Sequence, residues 1–169
     1  MITYRGAVPA DGPALSAMAQ RAFTDTFGGL YRASDLAAFL DRAFGADGLP
    51  SQIEDPAFAI RLALEGNAIA GFAKIGPVDF PGDWSADTIE LHQLYVLGAW
   101  QGEGVAQQLM DWTIAAARAR GARTMVLSVF VDNIRAQRFY ARYGFVEIGK
   151  YEFRVGDQID DDRIWSLDL

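Results

Sequence analysis

The stretch WQGEGVAQQLM, residues 100–110, combines two closely spaced glycines with the start of an amphipathic helix. The first amides of a helix have no carbonyl partner, and together with the helix dipole they attract an anion. Gly102 and Gly104 would let phosphate oxygens approach the backbone, because neither residue carries a Cβ. One interpretation of Gln101–Ala106 is therefore a pyrophosphate-binding turn. The other is a tight strand-to-helix turn with a purely structural role.

Two other glycine-rich phosphate sites fit this stretch less well. A nucleotide P-loop needs Lys followed by Ser or Thr after its second glycine, and neither is present. A dinucleotide fingerprint, G-x-G-x-x-G, would need glycine where the chain has Gln107. Asp132, at the end of the next predicted strand, does stand where an acid would bind a ribose. The hairpins predicted on either side, however, do not suit a doubly wound sheet.

Predicted strands and helices surround the glycine turn. We expect strands at 2–7, 58–64, 69–75, 88–96, 124–131, 145–155 and 164–169, and helices at 14–23, 34–44, 105–121 and 133–144. Asp132 or Asn133 would cap the last helix, and an acidic turn, Asp157–Asp162, would join the last two strands. This order predicts an α+β fold with a mixed, mostly antiparallel central sheet and helices on its faces. One strand pair near the middle is a candidate for parallel pairing.

The strand 88–96 carries two residues suited to proton transfer. Its two-residue period would place Ile89, Leu91, Gln93 and Tyr95 on one face, and Glu90, His92, Leu94 and Val96 on the other. Glu90 and His92 would then point the same way. His92 is the only histidine, and imidazole has an unperturbed pKa suited to acid–base work near neutral pH. Alternatively, one of the two faces solvent, or His92 is satisfied within the sheet.

Composition excludes several classes of function. The 169 residues contain no cysteine, so disulfides and thiolate catalysis are excluded, and one histidine with scattered carboxylates predicts no metal site. The net charge of −7 argues against nucleic acid and is compatible with a cationic small molecule or with solubility alone. No apolar run reaches membrane-spanning length. We expect one domain, 1–169, in the cytoplasm and without a membrane partner.

Two motifs together carry a family resemblance. Q-x-x-G-x-A at Gln101, Gly104 and Ala106 is followed by N-x-x-A-x-x-F-Y-x-x-x-G-F at Asn133–Phe145. The pair, after a strand such as 88–96, resembles the GNAT superfamily of acyl-CoA-dependent N-acyltransferases, whose order of elements fits nearly the whole chain. The segments AFTDTFGGLY and FRVGDQIDDDRIWSLDL near the two ends are similar to bacterial spermidine/spermine N-acetyltransferases within that group.

The resemblance implies a binding mode for acetyl-CoA. The cofactor would enter a V-shaped opening between the strands 88–96 and 124–131, with its pantetheine arm beside the backbone and its pyrophosphate on the glycine turn. The residues implied are Leu94, Tyr95, Val96, Gln101, Gly102, Glu103, Gly104, Val105, Ala106, Asn133 and Arg142. The family often has basic residues in this turn, where the chain has Gln101 and Glu103. Amides, the helix dipole and Arg138 or Arg142 would then have to attract the phosphates.

The resemblance also implies catalytic roles. An acceptor amine must lose a proton before it attacks the thioester, and Glu90 stands where the family often has its general base, with His92 as helper or rival. A backbone amide near Leu94 or Tyr95 would stabilise the oxyanion. Tyr140, at the family's tyrosine position, would protonate the departing thiolate. In the alternative interpretation, Tyr140 is a core aromatic residue beside Phe139.

The motifs do not determine the identity of the acceptor. Residues available for its pocket are Asp25, Tyr31, Asp83, Trp84 and Asp87, which would suit a cationic amine. The leading hypothesis is an acetyltransferase acting on a primary amine of a small cationic molecule such as a polyamine. The alternatives are a peptide or protein amine as acceptor, or a CoA-binding sensor without turnover. A homodimer would be compatible with the sequence but is not demanded by it.

Overall fold

The computed structural model describes all 169 residues. Its strands are β1 (Ile2–Gly6), β2 (Ala59–Glu65), β3 (Ala68–Gly76), β4 (Thr88–Val96), β5 (Thr124–Phe130), β6 (Val146–Val155) and β7 (Gln158–Asp168). Its helices are α1 (Gly12–Phe27), α2 (Ala33–Phe44), α3 (Val105–Ala119) and α4 (Ile134–Arg142). Short 3-10 turns fill several of the connections. None of the helices combines the length and the apolar character that crossing a membrane requires.

All seven strands form one sheet in the order β1-β2-β3-β4-β5-β7-β6. Every neighbouring pair is antiparallel except β4 and β5, which run parallel. The predicted α+β class, the mixed and mostly antiparallel sheet and its one parallel pair are confirmed. The β2–β3 hairpin turns at Gly66–Asn67, where Gly66 has a φ of +59° that favours glycine.

Each face of the sheet has its own hydrophobic core. On one face, α1 and α2 bury Leu15, Phe23, Phe39 and Phe44 against Leu62 and Phe72 of the sheet. On the other, α3 buries Val105, Leu109 and Met110 against Ile89, Leu91, Met125 and Leu127. The predicted helices on both faces are therefore confirmed. We call these surfaces the α1–α2 face and the α3–α4 face.

A β-bulge at His92 corrects the predicted alternation of β4. Lys74 of β3 pairs with Gln93, but the next residue, Ile75, pairs with Leu91, so His92 has no partner in this register. The extra residue reverses the facing of every side chain after it. Leu94 and Val96 therefore pack with Ile89 and Leu91 on the α3–α4 face, whereas Tyr95 packs on the α1–α2 face.

The expected acidic turn at Asp157–Asp162 is wrong. The chain reverses at Gly156–Asp157, and β7 begins at Gln158. Asp160, Asp161 and Asp162 are strand residues, paired on one side with β6 and, at Asp162, on the other side with β5. Aspartate has a low intrinsic preference for strands, but pairing on two sides outweighs that preference. The carboxylates at 160 and 162 consequently share one face of the sheet.

Candidate active site

A large cleft opens where the two parallel strands separate. The β4–β5 pairing covers only Thr88–Glu90 against Thr124–Val126, and beyond those residues the strands diverge. This is the V-shaped opening that the family resemblance implies. The cleft has a volume of about 960 Å³ and reaches from the glycine turn to β7. It is within the size range of ligand-binding pockets.

The edge of β4 that faces the cleft is available to an extended ligand. Leu94, Tyr95 and Val96 pair with β3 on one side only, and all three line the cleft on the other. An open strand edge presents backbone N–H and C=O groups that can bind an amide-containing chain. Pantetheine contains two amides, so this edge fits the role implied for it.

The glycine turn has the geometry of an anion cradle. Gly102 and Gly104 have φ values of +87° and +81°, and a Cβ placed on Gly102 would meet no atom within 4 Å. The first backbone hydrogen bond of α3 joins the Gln108 amide to the Gly104 carbonyl at 3.1 Å. The amides of 102–107 therefore have no backbone partner and stand at the positive end of a 15-residue helix. These features fit a pyrophosphate.

Three arginines of α4 supply the positive charge that the turn lacks. Arg135, Arg138 and Arg142 all line the cleft, and their spacing of three and four residues places them on one side of the helix. Arg135 also donates a hydrogen bond to the side chain of Gln101, which in turn donates to the Val96 carbonyl at 2.8 Å. The sequence prediction named Arg138 and Arg142 but missed Arg135. Helical spacing from Arg138 was the signal that could have found it.

Three predicted cofactor residues have side chains that are engaged elsewhere or do not line the cleft. Glu103 does not line the cleft, and the Val105 side chain is buried in the core. Asn133 lines the cleft, but its side chain caps α4 by accepting from the Ala136 amide at 3.2 Å. Gln101, Gly102, Gly104, Ala106 and Arg142 line the cleft as expected.

Glu90 and His92 form a contacting pair. Glu90 Oε1 lies 3.4 Å from His92 Nδ1, and Glu90 Oε2 accepts from the Asp79 amide at 2.7 Å. Burial raises the pKa of Glu90 to about 7 and lowers that of His92 to about 4. His92 lines the cleft, whereas Glu90 does not. The expected proximity of the two side chains is confirmed, and Glu90 has the more suitable pKa for a base at neutral pH.

Lys74 is a neighbour of this pair that the sequence prediction missed. Its ammonium group is buried, donates to Gln52 Oε1 at 2.6 Å and lies 5.1 Å from the centre of the Phe58 ring. The Phe58 ring also contacts His92, with ring centres 5.6 Å apart. Burial lowers the pKa of Lys74 to about 8, while its charge favours the ionised form of Glu90.

Tyr140 lines the same cleft from α4. Its ring packs on Phe139 and Phe145, with ring centres 5.5 Å and 5.7 Å away. Burial raises the pKa of the Tyr140 hydroxyl, so this group stays protonated at neutral pH. A side chain that both lines the cleft and keeps its proton can donate that proton to a ligand.

The far end of the cleft is acidic and aromatic. Asp25 and Tyr31, two of the predicted acceptor residues, line it together with Asp160 and Asp162 of β7. The prediction did not extend to the last two residues, because it assigned them to a turn. Burial raises the pKa of Asp162 to about 7. Trp84 and Asp87 instead border a separate hollow, and Asp83 lines neither space, so these three are corrected as acceptor residues.

Comparisons with known proteins agree with this geometry. The model of the Acetyltransferase (GNAT) family matches residues 17–145. An uncharacterized N-acetyltransferase of Mycobacterium tuberculosis (strain H37Rv) is 32% identical over 94% of this chain and 98% of its own length. The aminoalkylphosphonate N-acetyltransferase of Salmonella typhimurium is 30% identical over 63% of this chain and 68% of its own. The PaiA N-acetyltransferase of Thermoplasma acidophilum, solved in complex with coenzyme A, has a TM-score of 0.81 at 17% identity, over 100% and 99% of the two chains.

Proposed function

This chain belongs to the GNAT family of acetyltransferases, and from that premise we propose that it acetylates a primary amine of a small cationic acceptor. It is an acyl-CoA-dependent N-acetyltransferase that uses acetyl-CoA. The bound cofactor supplies an activated acyl thioester. The chain's own residues must hold the cofactor, remove a proton from the amine and return one to the leaving group.

The glycine turn and α4 hold the cofactor in this proposal. The free amides of 102–107 bind the pyrophosphate, and Arg135, Arg138 and Arg142 add positive charge beside it. The open edge of β4 at Leu94–Val96 binds the pantetheine amides. A backbone amide of the same edge, near Leu94 or Tyr95, stabilises negative charge on the acyl oxygen.

Proton transfer in this proposal depends on Glu90, His92 and Tyr140. Glu90 accepts the amine proton through water, because Glu90 contacts the cleft-lining His92 but does not itself line the cleft, and both nitrogens of the His92 ring are occupied. Tyr140 donates its hydroxyl proton to the departing thiolate. The thiol formed is a stronger acid than tyrosine, so this transfer depends on a donor close by rather than on a strong driving force. No residue forms a covalent intermediate, as is consistent with a chain without cysteine.

One observation supports the choice of a cationic amine as the acceptor. A single cleft joins the glycine turn to an end that contains three carboxylates, Asp25, Asp160 and Asp162. The arginines that line it all come from α4, at the cofactor end. A cationic amine is therefore attracted to the acidic end, whereas an anionic amine is repelled from it. Aromatic side chains wall this end, which favours a small molecule over a protein segment.

Thiol release from acetyl-CoA tests the proposal directly. The panel contains spermidine, spermine, 1,4-diaminobutane, an aminoalkylphosphonate, amino acids, an aminoglycoside and a lysine peptide. The chain has no cysteine, so the protein adds no thiol to the signal. We expect release well above the no-acceptor rate with the cationic small amines. Release with the peptide alone would favour the peptide or protein acceptor, and binding of acetyl-CoA without release from any amine would favour a sensor.

A further inference from the structure

Because successive side chains of a strand point to opposite faces of the sheet, the three consecutive aspartates of β7 do not share one face. Asp160 and Asp162 line the cleft, whereas the intervening Asp161 lies on the opposite face of the strand. Asp161 is half-exposed and pairs with Arg163 at 2.8 Å. Neither Asp160 nor Asp162 forms an ion pair with a basic group of the chain. The cleft therefore contains two neighbouring carboxylates that no protein cation neutralises.

Asp162 is the more buried of the two. Its residue surface is only 6% exposed, and its Oδ1 is buried without a hydrogen-bond partner. Buried carboxylates without partners are costly, so they are rare unless a ligand completes them. Asp162 lies opposite Phe130 of β5, with Ser128 close enough to hydrogen-bond to its carboxylate. The unpartnered oxygen of this cleft-lining residue can accept a hydrogen bond from a ligand.

Asp160 and Tyr31 extend this acidic group towards α1. The Tyr31 hydroxyl donates to Asp160 Oδ2, which fixes the carboxylate while leaving its other oxygen free of that bond. Tyr31 stacks on Phe23, with ring centres 6.0 Å apart, and Phe27 meets the edge of Phe130 at 6.4 Å. These rings also line the cleft. Apolar walls beside fixed carboxylates suit a methylene chain that ends in an ammonium group.

We propose that Asp162, supported by Asp160 and Tyr31, binds a second ammonium group of the acceptor, so that the acceptor is a linear diamine or polyamine. This inference rests on the proposed function. The subsite is assigned to the amine that does not react, because two unneutralised carboxylates stabilise an ammonium ion and would oppose the deprotonation that attack requires. The reacting amine belongs instead near His92 and Glu90, where a proton acceptor is present.

A matched pair of acceptors isolates the second charge. 1,4-Diaminobutane and 1-aminobutane have the same carbon chain and differ by one terminal amine. Steady-state thiol release is measured with both for the wild type, Asp162→Asn and Asp160→Asn. Asp161→Asn is the matched control, because it removes the same charge from the other face of the same strand. Acetyl-CoA affinity and thermal melting establish that each variant is folded and binds the cofactor.

We expect the wild type to prefer the diamine. Asp162→Asn should raise KM for the diamine by roughly tenfold or more, since a tenfold loss corresponds to one charged contact, and should change kcat less than about threefold. The increase in KM with the monoamine should be several-fold smaller than with the diamine, and the kinetics of Asp161→Asn with both acceptors should stay near the wild type. An equal loss of kcat with both acceptors would instead place Asp162 in proton transfer and overturn the inference, as would unchanged kinetics.

The wild type alone distinguishes failure of the inference from failure of the proposed function. Equal activity with the diamine and the monoamine, or activity restricted to the lysine peptide, would overturn the diamine subsite while acetyl transfer stands. No thiol release with any amine would overturn the proposed function itself.

Discussion

His92 Nε2 lies 2.8 Å from the carbonyl oxygen of Pro77, while His92 Nδ1 lies 3.4 Å from Glu90 Oε1. A carbonyl can only accept, so Nε2 carries the imidazole proton and Nδ1 presents its lone pair to Glu90. In this orientation both ring nitrogens are occupied, so the ring does not relay a proton from the cleft. It presents a lone pair to Glu90, which favours the protonated carboxyl group and agrees with the raised pKa of Glu90. The β-bulge at His92 is what brings the ring to this position.

Glu90→Gln should therefore abolish most of the turnover. Glutamine keeps the shape and the hydrogen bond from the Asp79 amide but cannot accept the proton, so kcat should fall by about 10²-fold or more. Acetyl-CoA affinity, measured by calorimetry, should stay within about twofold, because Glu90 does not line the cleft. Normal turnover in the Glu90→Gln variant would remove Glu90 from the mechanism.

The pH profile tests the same residue in the unmodified enzyme. Burial raises the pKa of Glu90 to about 7, and a general base works only when it is deprotonated. With a monoamine acceptor, kcat should fall as the pH drops through about 7. His92, with its pKa lowered to about 4, is already neutral at pH 7 and cannot cause that decrease in kcat. If kcat instead decreased only near pH 4, His92 would be the titrating base.

Tyr140→Phe separates proton donation from packing. Phenylalanine preserves the ring contacts with Phe139 and Phe145 and removes only the hydroxyl. Turnover should fall by roughly 10²-fold while acetyl-CoA binding is spared. Tyr143→Phe is the control: its hydroxyl is hydrogen-bonded to Asp111 at 3.1 Å, outside the cleft. Equal effects of the two substitutions would indicate a packing role for Tyr140.

The arginines of α4 should govern cofactor affinity. Replacing Arg138 by Gln should weaken acetyl-CoA binding by about two- to fivefold, the value of a largely exposed ion pair, and the loss should shrink as salt is added. Arg118→Gln on α3 removes an exposed arginine that does not line the cleft and should leave affinity unchanged. The comparison is a calorimetric titration of both variants at low and high salt. A salt-independent loss would contradict an electrostatic role.

Local patterns are sufficient to predict much of the fold. The strand 88–96 is predicted with its observed bounds, because its polar and apolar residues alternate and turn residues flank it. The β2–β3 hairpin is recognisable from two alternating runs around Gly66–Asn67. Helix α3 is recognisable because an apolar stripe follows the glycine turn. In each case the signal lies within the segment itself.

The parts that could not be predicted depend on contacts with distant residues. A bulge such as that at His92 leaves no trace in a two-residue period, so the predicted facing of Leu94 and Tyr95 is the wrong way round. The aspartates at 160–162 have the composition of a turn, and only pairing with β5 and β6 makes them strand. No local sequence pattern predicts the position of Lys74 either, since its hydrogen-bond partner Gln52 comes from another part of the chain.

Asp162→Asn should make the protein more stable as it makes it a poorer enzyme for diamines. The folded state holds the pKa of Asp162 near 7, above that of an unfolded aspartate, through burial and the charges of Asp160 and Asp161. The folded state therefore binds the extra proton between about pH 4 and 7, and Asp162 costs stability increasingly as the pH rises through that range. The side chain of Ser128, beside the carboxylate, lowers this pKa and so offsets part of the cost. Asparagine does not ionise, so the variant does not have this cost in stability.

At pH 8, Asp162→Asn should raise the free energy of unfolding by about 1–2 kcal/mol, the penalty of an unsatisfied buried group. For a chain of this size that corresponds to roughly 2–8 °C in Tm. The gain should nearly vanish at about pH 4, where the wild-type carboxyl is protonated in the folded state and largely so in the unfolded one. Asp161→Asn loses its pair with Arg163 and should show no gain at either pH. Saturating 1,4-diaminobutane should narrow the difference at pH 8, because it supplies to the wild type the cation that Asp162 lacks. A variant that is less stable than the wild type at pH 8 would mean that the fold already compensates the charge of Asp162, and that this carboxylate is not a binding site.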